Sequence, residues 1–111
     1  MNSLSILWTT DNKDTFFNML SMYAINSIKK NWWDEVTVII WGASAKLAGT
    51  DAQVQLEIME MLQQGVQVKA CKACADIYDV SPVLEKLGVK VHYMGEQLTQ
   101  VLKSDQKLIT I

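Results

Sequence analysis

The chain has 111 residues, half of them hydrophobic and 20% charged, with a formal net charge of −2. That size supports one core without staples and leaves no room for a second domain, so residues 1–111 are read as a single domain. No Pro-, Ser- or Gly-rich tract, internal repeat or low-complexity segment interrupts it, which excludes a disordered or fibrous chain.

The opening "MNSLSILWTT" has neither a basic n-region nor a long apolar h-region. No apolar run approaches the roughly 20 residues that span a bilayer, so a soluble, cytoplasmic protein with no membrane partner is expected. Residues 3–10, "SLSILWTT", read as a buried strand. "DTFFNMLSMYAINSIKK" (14–30) reads as a helix begun by Asp14 and closed by lysines that suit the macrodipole. "EVTVIIW" is a second strand. "TDAQVQLEIMEMLQQ" predicts a longer helix with Asp51 or Thr50 as N-cap, Val54, Ile58, Met61 and Leu62 on one stripe, and Gly65 as the stop.

"VQVKA" is a third strand and "ACADIY" one or two helical turns. "SPVLEKLG" is a compact helix with Ser81 as cap, Pro82 at the first position and Gly88 at the end. "VKVHY" is a fourth strand. "EQLTQVLKS" predicts a helix with Leu98, Val101 and Leu102 on one face, and "KLITI" ends the chain as a fifth strand.

Short β-branched strands alternating with helices argue for βαβ units. The expected fold is a three-layer α/β/α sandwich around a mainly parallel five-stranded sheet. Right-handed crossovers gather the carboxyl ends of parallel strands on one edge, where such folds bind ligands. Thr10, Asp11 and Asn12 after the first strand, Trp41 and Gly42 after the second, and Met94 and Gly95 after the fourth are therefore the candidate pocket-lining residues.

All ten basic residues are lysines, scattered except for Lys29-Lys30. The guanidinium fork that reads phosphates and guanine edges is absent, so nucleic acid is not an expected partner. Both cysteines lie in "GVQVKACKACADIYDV" (65–80), as Cys71 and Cys74 in C-x-x-C spacing. Cytosolic thiols stay reduced, which favours chemistry over a structural disulfide. The pair is half of a zinc site, but the other half is missing and the single histidine, His92, lies in a strand; no metal is expected.

Two readings of the pair remain. A dithiol couple of thioredoxin type fits a C-x-x-C that opens a helix after a strand, although Pro82, the only proline, starts a helix and does not face the cysteines. Alternatively Cys71 is a single nucleophile: a strand-to-helix junction and the flanking Lys69 and Lys72 all favour the thiolate. Such a thiolate can hold sulfane sulfur as a persulfide. Cys74 faces the same way one turn on, as a resolving thiol or as a small apolar filler.

"IIWGASAKLA", "GVQVKACKACAD", "LEKLGVKVHYMGEQLTQVLKS" and the terminal strand, in that order and over nearly the whole chain, resemble the DsrE/DsrF-like family of sulfur-relay (TusD-like) and intracellular sulfur-oxidation proteins. The resemblance implies a three-layer α/β subunit assembled into trimers or hexamers. It implies sulfur carriage at the V-x-x-C cysteine after the third strand, here Cys71; on the sulfur-handling reading the protein acts beside a donor and an acceptor protein and needs no organic cofactor. Relay members often have alanine where this chain has Cys74, so the C-x-x-C marks a branch of its own. An oligomeric binding module with incidental cysteines is the third class.

The remaining features have plainer readings. "GASAK" lacks the Gly-Lys-Ser/Thr ending of a phosphate loop, so Gly42 is read as a sharp turn and Lys46 as solvated. Asp11 belongs to a polar turn, and His92 is a hydrogen-bonded strand residue. In the first helix Phe16, Leu20, Ala24 and Ile28 form one stripe, widened by Phe17, Met19, Met22 and Ile25. Trp32 and Trp33 follow, and this excess of apolar surface predicts a homo-oligomer.

Overall fold

The computed structural model describes residues 2–111. Five strands, β1 (Ser3–Trp8), β2 (Glu35–Ile40), β3 (Gln67–Cys71), β4 (Lys90–His92) and β5 (Lys107–Thr110), form one sheet in the order β4-β3-β2-β1-β5. Every neighbouring pair is parallel. Seven α-helices connect them: α1 (Lys13–Thr15), α2 (Met22–Lys29), α3 (Ala43–Thr50), α4 (Ala52–Gln63), α5 (Lys72–Ile77), α6 (Ser81–Leu87) and α7 (Gly95–Lys103).

The strand order decides how the layers fill. The steps from β1 to β2, β3 and β4 all run the same way along the sheet, so right-handed crossovers put α1 to α6 on one face. The return from β4 to β5 crosses the whole sheet and puts α7 alone on the other. Burial follows this division. Leu4, Ile6, Trp8, Val36, Val38, Ile40, Val68 and Ala70 alternate into the main core with Phe16, Leu20, Val54, Ile58, Met61 and Leu84. Ile39 and Cys71 point the opposite way and form a smaller cluster with Met94, at the N-cap of α7. The architecture is the three-layer α/β sandwich, with one layer reduced to a single helix.

The first helical stretch departs from a regular α-helix. Its N-cap is Asn12, whose Oδ1 accepts the Thr15 N–H at 2.8 Å, and not Asp14, which lies inside the first turn. Between α1 and α2 the backbone widens into a π-helical segment, Phe16–Ser21. Phe16 and Leu20 stay buried there, with the Phe16 ring stacked on Trp8 at 4.5 Å. Phe17 and Ile25 pack against the core, whereas Met19 and Met22 are exposed. Trp33 packs inward and donates its Nε1–H to Tyr23 Oη at 3.0 Å; Trp32 stays half exposed.

"GASAK" is not merely a turn, because it opens the eight-residue helix α3. Small residues hid it: with little amphipathic contrast, its Ala and Ser side chains give no helical stripe. Gly42 is the N-cap, at φ +66 and ψ −134, a conformation that only glycine adopts without strain. Ser44 ties the junction together, its Oγ donating to Trp8 O at 2.6 Å and accepting the Trp41 N–H at 3.0 Å.

At α6 the N-cap is Val80 and Ser81 is already helical. The Ser81 hydroxyl donates to Asp76 Oδ1 at 2.7 Å, so it joins two helices where the sequence suggested a cap. Asp51 caps α4 as expected, accepting the Val54 N–H at 3.0 Å. Gly65 and Gly88 end their helices at φ +100, as their positions after the apolar stripes predict.

Candidate functional site

Cys71 is the last residue of β3 and the N-cap of α5. Strand alternation turns its side chain to the α7 face, between Ile39 of the neighbouring strand and Met94, and leaves the residue 5% exposed. Cys74 follows one helical turn later and is half-buried. It touches both clusters and so sits at the rim where the two cores meet.

Both cysteines are free, and Cys74 packs against the small cluster that holds Cys71. Burial pushes the Cys74 thiol up from the ordinary cysteine range. The neighbouring Cys71 sulfur adds to that shift, while the Gly42 backbone N–H, which favours the thiolate, works against both.

Of the expected pocket residues, Trp41, Gly42 and Met94 gather at the cysteines. Gly95 begins α7, and a Cβ built on it meets nothing within 4 Å. Thr10, Asp11 and Asn12 lie at the end of β1, separated from Cys71 by the whole width of β2. Their polar groups serve the turn itself: the Asn12 N–H donates to Thr10 Oγ1 at 3.0 Å, Asn12 caps α1, and Asp11 is exposed. Two surface depressions, one of about 400 Å3 beside Trp32 and Trp33 and one of about 550 Å3 along α7, are lined by neither cysteine.

The flanking lysines behave differently from one another. Lys72 is committed to Asp76, with Nζ 2.8 Å from Oδ2 and 5.8 Å from the centre of the Tyr93 ring. That hydrogen bond raises its pKa, and the charge of Lys72 is balanced away from the thiols. Lys69 is two residues before Cys71 on the same sheet face, half-buried. His92 was read as a plain strand residue, yet it is the register partner of Cys71 across the β3–β4 ladder. No signal in the sequence reveals this, because register between strands is not written in either strand alone. Among the described residues no group of three or more His, Cys, Asp or Glu side chains is placed to hold a metal ion, and no helix is long and apolar enough to cross a membrane.

No protein-family model matches this chain, and no curated protein does. Solved structures do. The ychN protein from E. coli aligns over 100% of both chains at 23% identity and a TM-score of 0.66. A protein of unknown function from Methanobacterium thermoautotrophicum, MTH1491, aligns over 100% of both at 16% identity and a TM-score of 0.82. Both show the shared fold. A third similarity goes further: the conserved protein of unknown function BT1422 from Bacteroides thetaiotaomicron is 51% identical, with a TM-score of 0.97 over 99% of this chain and 95% of that one. At that identity and coverage the chain belongs to the same family as the Bacteroides protein.

Proposed function

We propose that this protein is a cytoplasmic sulfur carrier in which Cys71 accepts sulfane sulfur as a persulfide and Cys74 is its proton-holding partner. The observation that carries the reading is the meeting of both cysteines in one cluster at the carboxyl edge of a parallel sheet, where Cys71 is screened by Ile39 and Met94. The segment order shared with the DsrE/DsrF-like family supports it as well. A reducing compartment suits a functional dithiol.

The chemistry is one displacement in each direction. The Cys71 thiolate attacks the terminal sulfur of a donor persulfide, R–S–SH; a new Sγ–S bond forms, the donor S–S bond breaks and R–S⁻ leaves. An acceptor thiolate later attacks the outer sulfur, takes it as its own persulfide and restores the Cys71 thiolate. No electrons enter or leave the protein. Cys74, retaining its proton, donates a hydrogen bond to whichever anionic sulfur Cys71 carries. Burial protects the persulfide from stray thiols and oxidants.

Intact-protein mass spectrometry after brief exposure to inorganic polysulfide tests this. One added sulfur atom mapped to Cys71 in the native chain supports it, and a native chain whose added sulfur rests anywhere but on Cys71 defeats it. The same meeting of cysteines favours a second reading, a dithiol couple that reduces a disulfide substrate and becomes a Cys71–Cys74 disulfide. Its signature is the loss of two hydrogens, abolished by either Cys71→Ser or Cys74→Ser. Self-association belongs to the proposal too. Met19 and Met22, beside and within α2, and Leu56 and Met59 on α4 leave apolar surface exposed on helical segments that pack together. Light scattering that shows a monomer at tens of micromolar would remove the oligomer.

A further inference from the structure

The two thiols differ in access, and the difference orders them. Cys71 is 5% exposed, beneath Met94, Ile39 and Trp41, while Cys74 stands at the rim. A persulfide borne on a peptide or protein must place its outer sulfur in line with the attacking sulfur and leave its own bulk outside. That approach is open at Cys74 and closed at Cys71. At the end of the neighbouring strand a Cβ built on Gly42 meets nothing within 4 Å, so the β2 end does not crowd this edge.

Resting on the carrier reading above, we propose that Cys74 is the entry thiol for bulky, thiol-borne persulfides and relays their sulfur to Cys71. The steps balance. Cys74 first passes its proton to the neighbouring Cys71 thiolate. The Cys74 thiolate attacks the terminal sulfur of R–S–SH, giving Cys74–S–SH and R–S⁻, which takes the proton from Cys71. The Cys71 thiolate then attacks the outer sulfur of Cys74–S–SH; the Cys71–S bond forms, the Cys74–S bond breaks, and Cys74 leaves as a thiolate beside the Gly42 N–H. The sulfane atom ends in the buried position. Small inorganic polysulfide, a single file of sulfur atoms, reaches Cys71 without this relay.

The test compares two probes, inorganic polysulfide and glutathione persulfide, on the native chain, Cys71→Ser, Cys74→Ser and Cys74→Ala, followed by time-resolved mass spectrometry with peptide-level localisation. Circular dichroism melts confirm that each variant is folded, and the two Cys74 variants control for one another. In the native chain both probes should deposit one sulfur on Cys71. In both Cys74 variants loading from glutathione persulfide should fall at least about tenfold further than loading from polysulfide. In Cys71→Ser, sulfur from glutathione persulfide should collect on Cys74 and stay there.

Native-rate loading of the Cys74 variants from glutathione persulfide would overturn the relay while leaving the carrier intact. So would release of hydrosulfide with a Cys71–Cys74 disulfide in the native chain, since Cys71 would then attack the inner sulfur. A native chain that takes sulfur from neither probe would overturn the carrier reading and the relay with it.

Discussion

A Cβ added to Gly49 would run into the Cβ of Val80, so α3 meets the turn before α6 with no space for a methyl group. Gly49→Ala should therefore destabilise the protein, even though alanine is the better helix former by about 1 kcal/mol. Overpacking against an atom fixed to the backbone costs about 1–3 kcal/mol or more, and it wins because Val80 Cβ cannot swing aside. Val80→Ala removes two of the three close contacts and keeps the Cβ one. A double-mutant cycle by urea denaturation should return a favourable coupling of about 1 kcal/mol and only partial rescue.

Gly42 is held by conformation and not by crowding. Nothing lies within 4 Å of an added Cβ, but φ is +66. Gly42→Ala should cost about 1–3 kcal/mol from backbone strain alone. It should also disturb the backbone N–H that favours the Cys74 thiolate. Denaturation and the rate of Cys74 alkylation, measured on the same variant, should both change. Unchanged stability would show that the turn relaxes freely.

The Cys74 thiol is pushed up by burial and by the neighbouring Cys71 sulfur. A raised pKa means that its thiolate appears at higher pH than in a free cysteine, whose pKa is about 8.5. Iodoacetamide should label Cys74 before Cys71 because Cys74 is the more exposed. The Cys74 rate should still be climbing where a free cysteine has levelled off. Peptide mapping across a pH series reads both; faster labelling of Cys71 would contradict the burial order.

Asp51 joins two segments: Oδ1 caps α4 through the Val54 N–H and Oδ2 lies 3.0 Å from Lys13 Nζ. The Val54 N–H is the main cause of its lowered pKa, followed by Lys13. A depressed carboxylate stabilises the fold above its unfolded pKa, and the contribution fades as pH falls through the lower folded value. Asp51→Ala should lower the thermal midpoint by a few degrees at neutral pH, and the gap should shrink in acid below the ordinary aspartate range. Asp51→Asn keeps a capping oxygen but no charge, and should lose less.

Ser27 is fully buried on α2, and its hydroxyl has no hydrogen-bond partner. Its carbonyl, which accepts the Trp32 N–H at 2.9 Å, is untouched by a side-chain change. Ser27→Ala removes an unsatisfied group and improves helix propensity, so it should stabilise by about 0.5–1.5 kcal/mol. Destabilisation on chemical denaturation would mean that the hydroxyl has a partner after all.

The sequence alone determined what depends on neighbouring residues. β-branched runs marked five strands; Asp51 marked the start of α4, and Gly65 and Gly88 marked two helix ends, because capping and left-handed glycine stops are satisfied within one turn. The Phe16, Leu20, Ala24 stripe was legible in the same way, as was the C-x-x-C at a strand end. Less legible were α3, whose small residues carry no stripe, and the π-helical widening at Phe16–Ser21, which leaves the apolar spacing nearly unchanged.

Only the tertiary structure decided how those pieces met. The crossover rule sets handedness and not adjacency, so the order β4-β3-β2-β1-β5 and the isolation of α7 on its own face had no local signature. That order moved Thr10, Asp11 and Asn12 away from the cysteines, set His92 beside Cys71 and placed Met94 against it. It also made two thiols of one short motif unequal. A cysteine's burial depends on what residues distant in sequence pack against it, and no spacing of C-x-x-C records that.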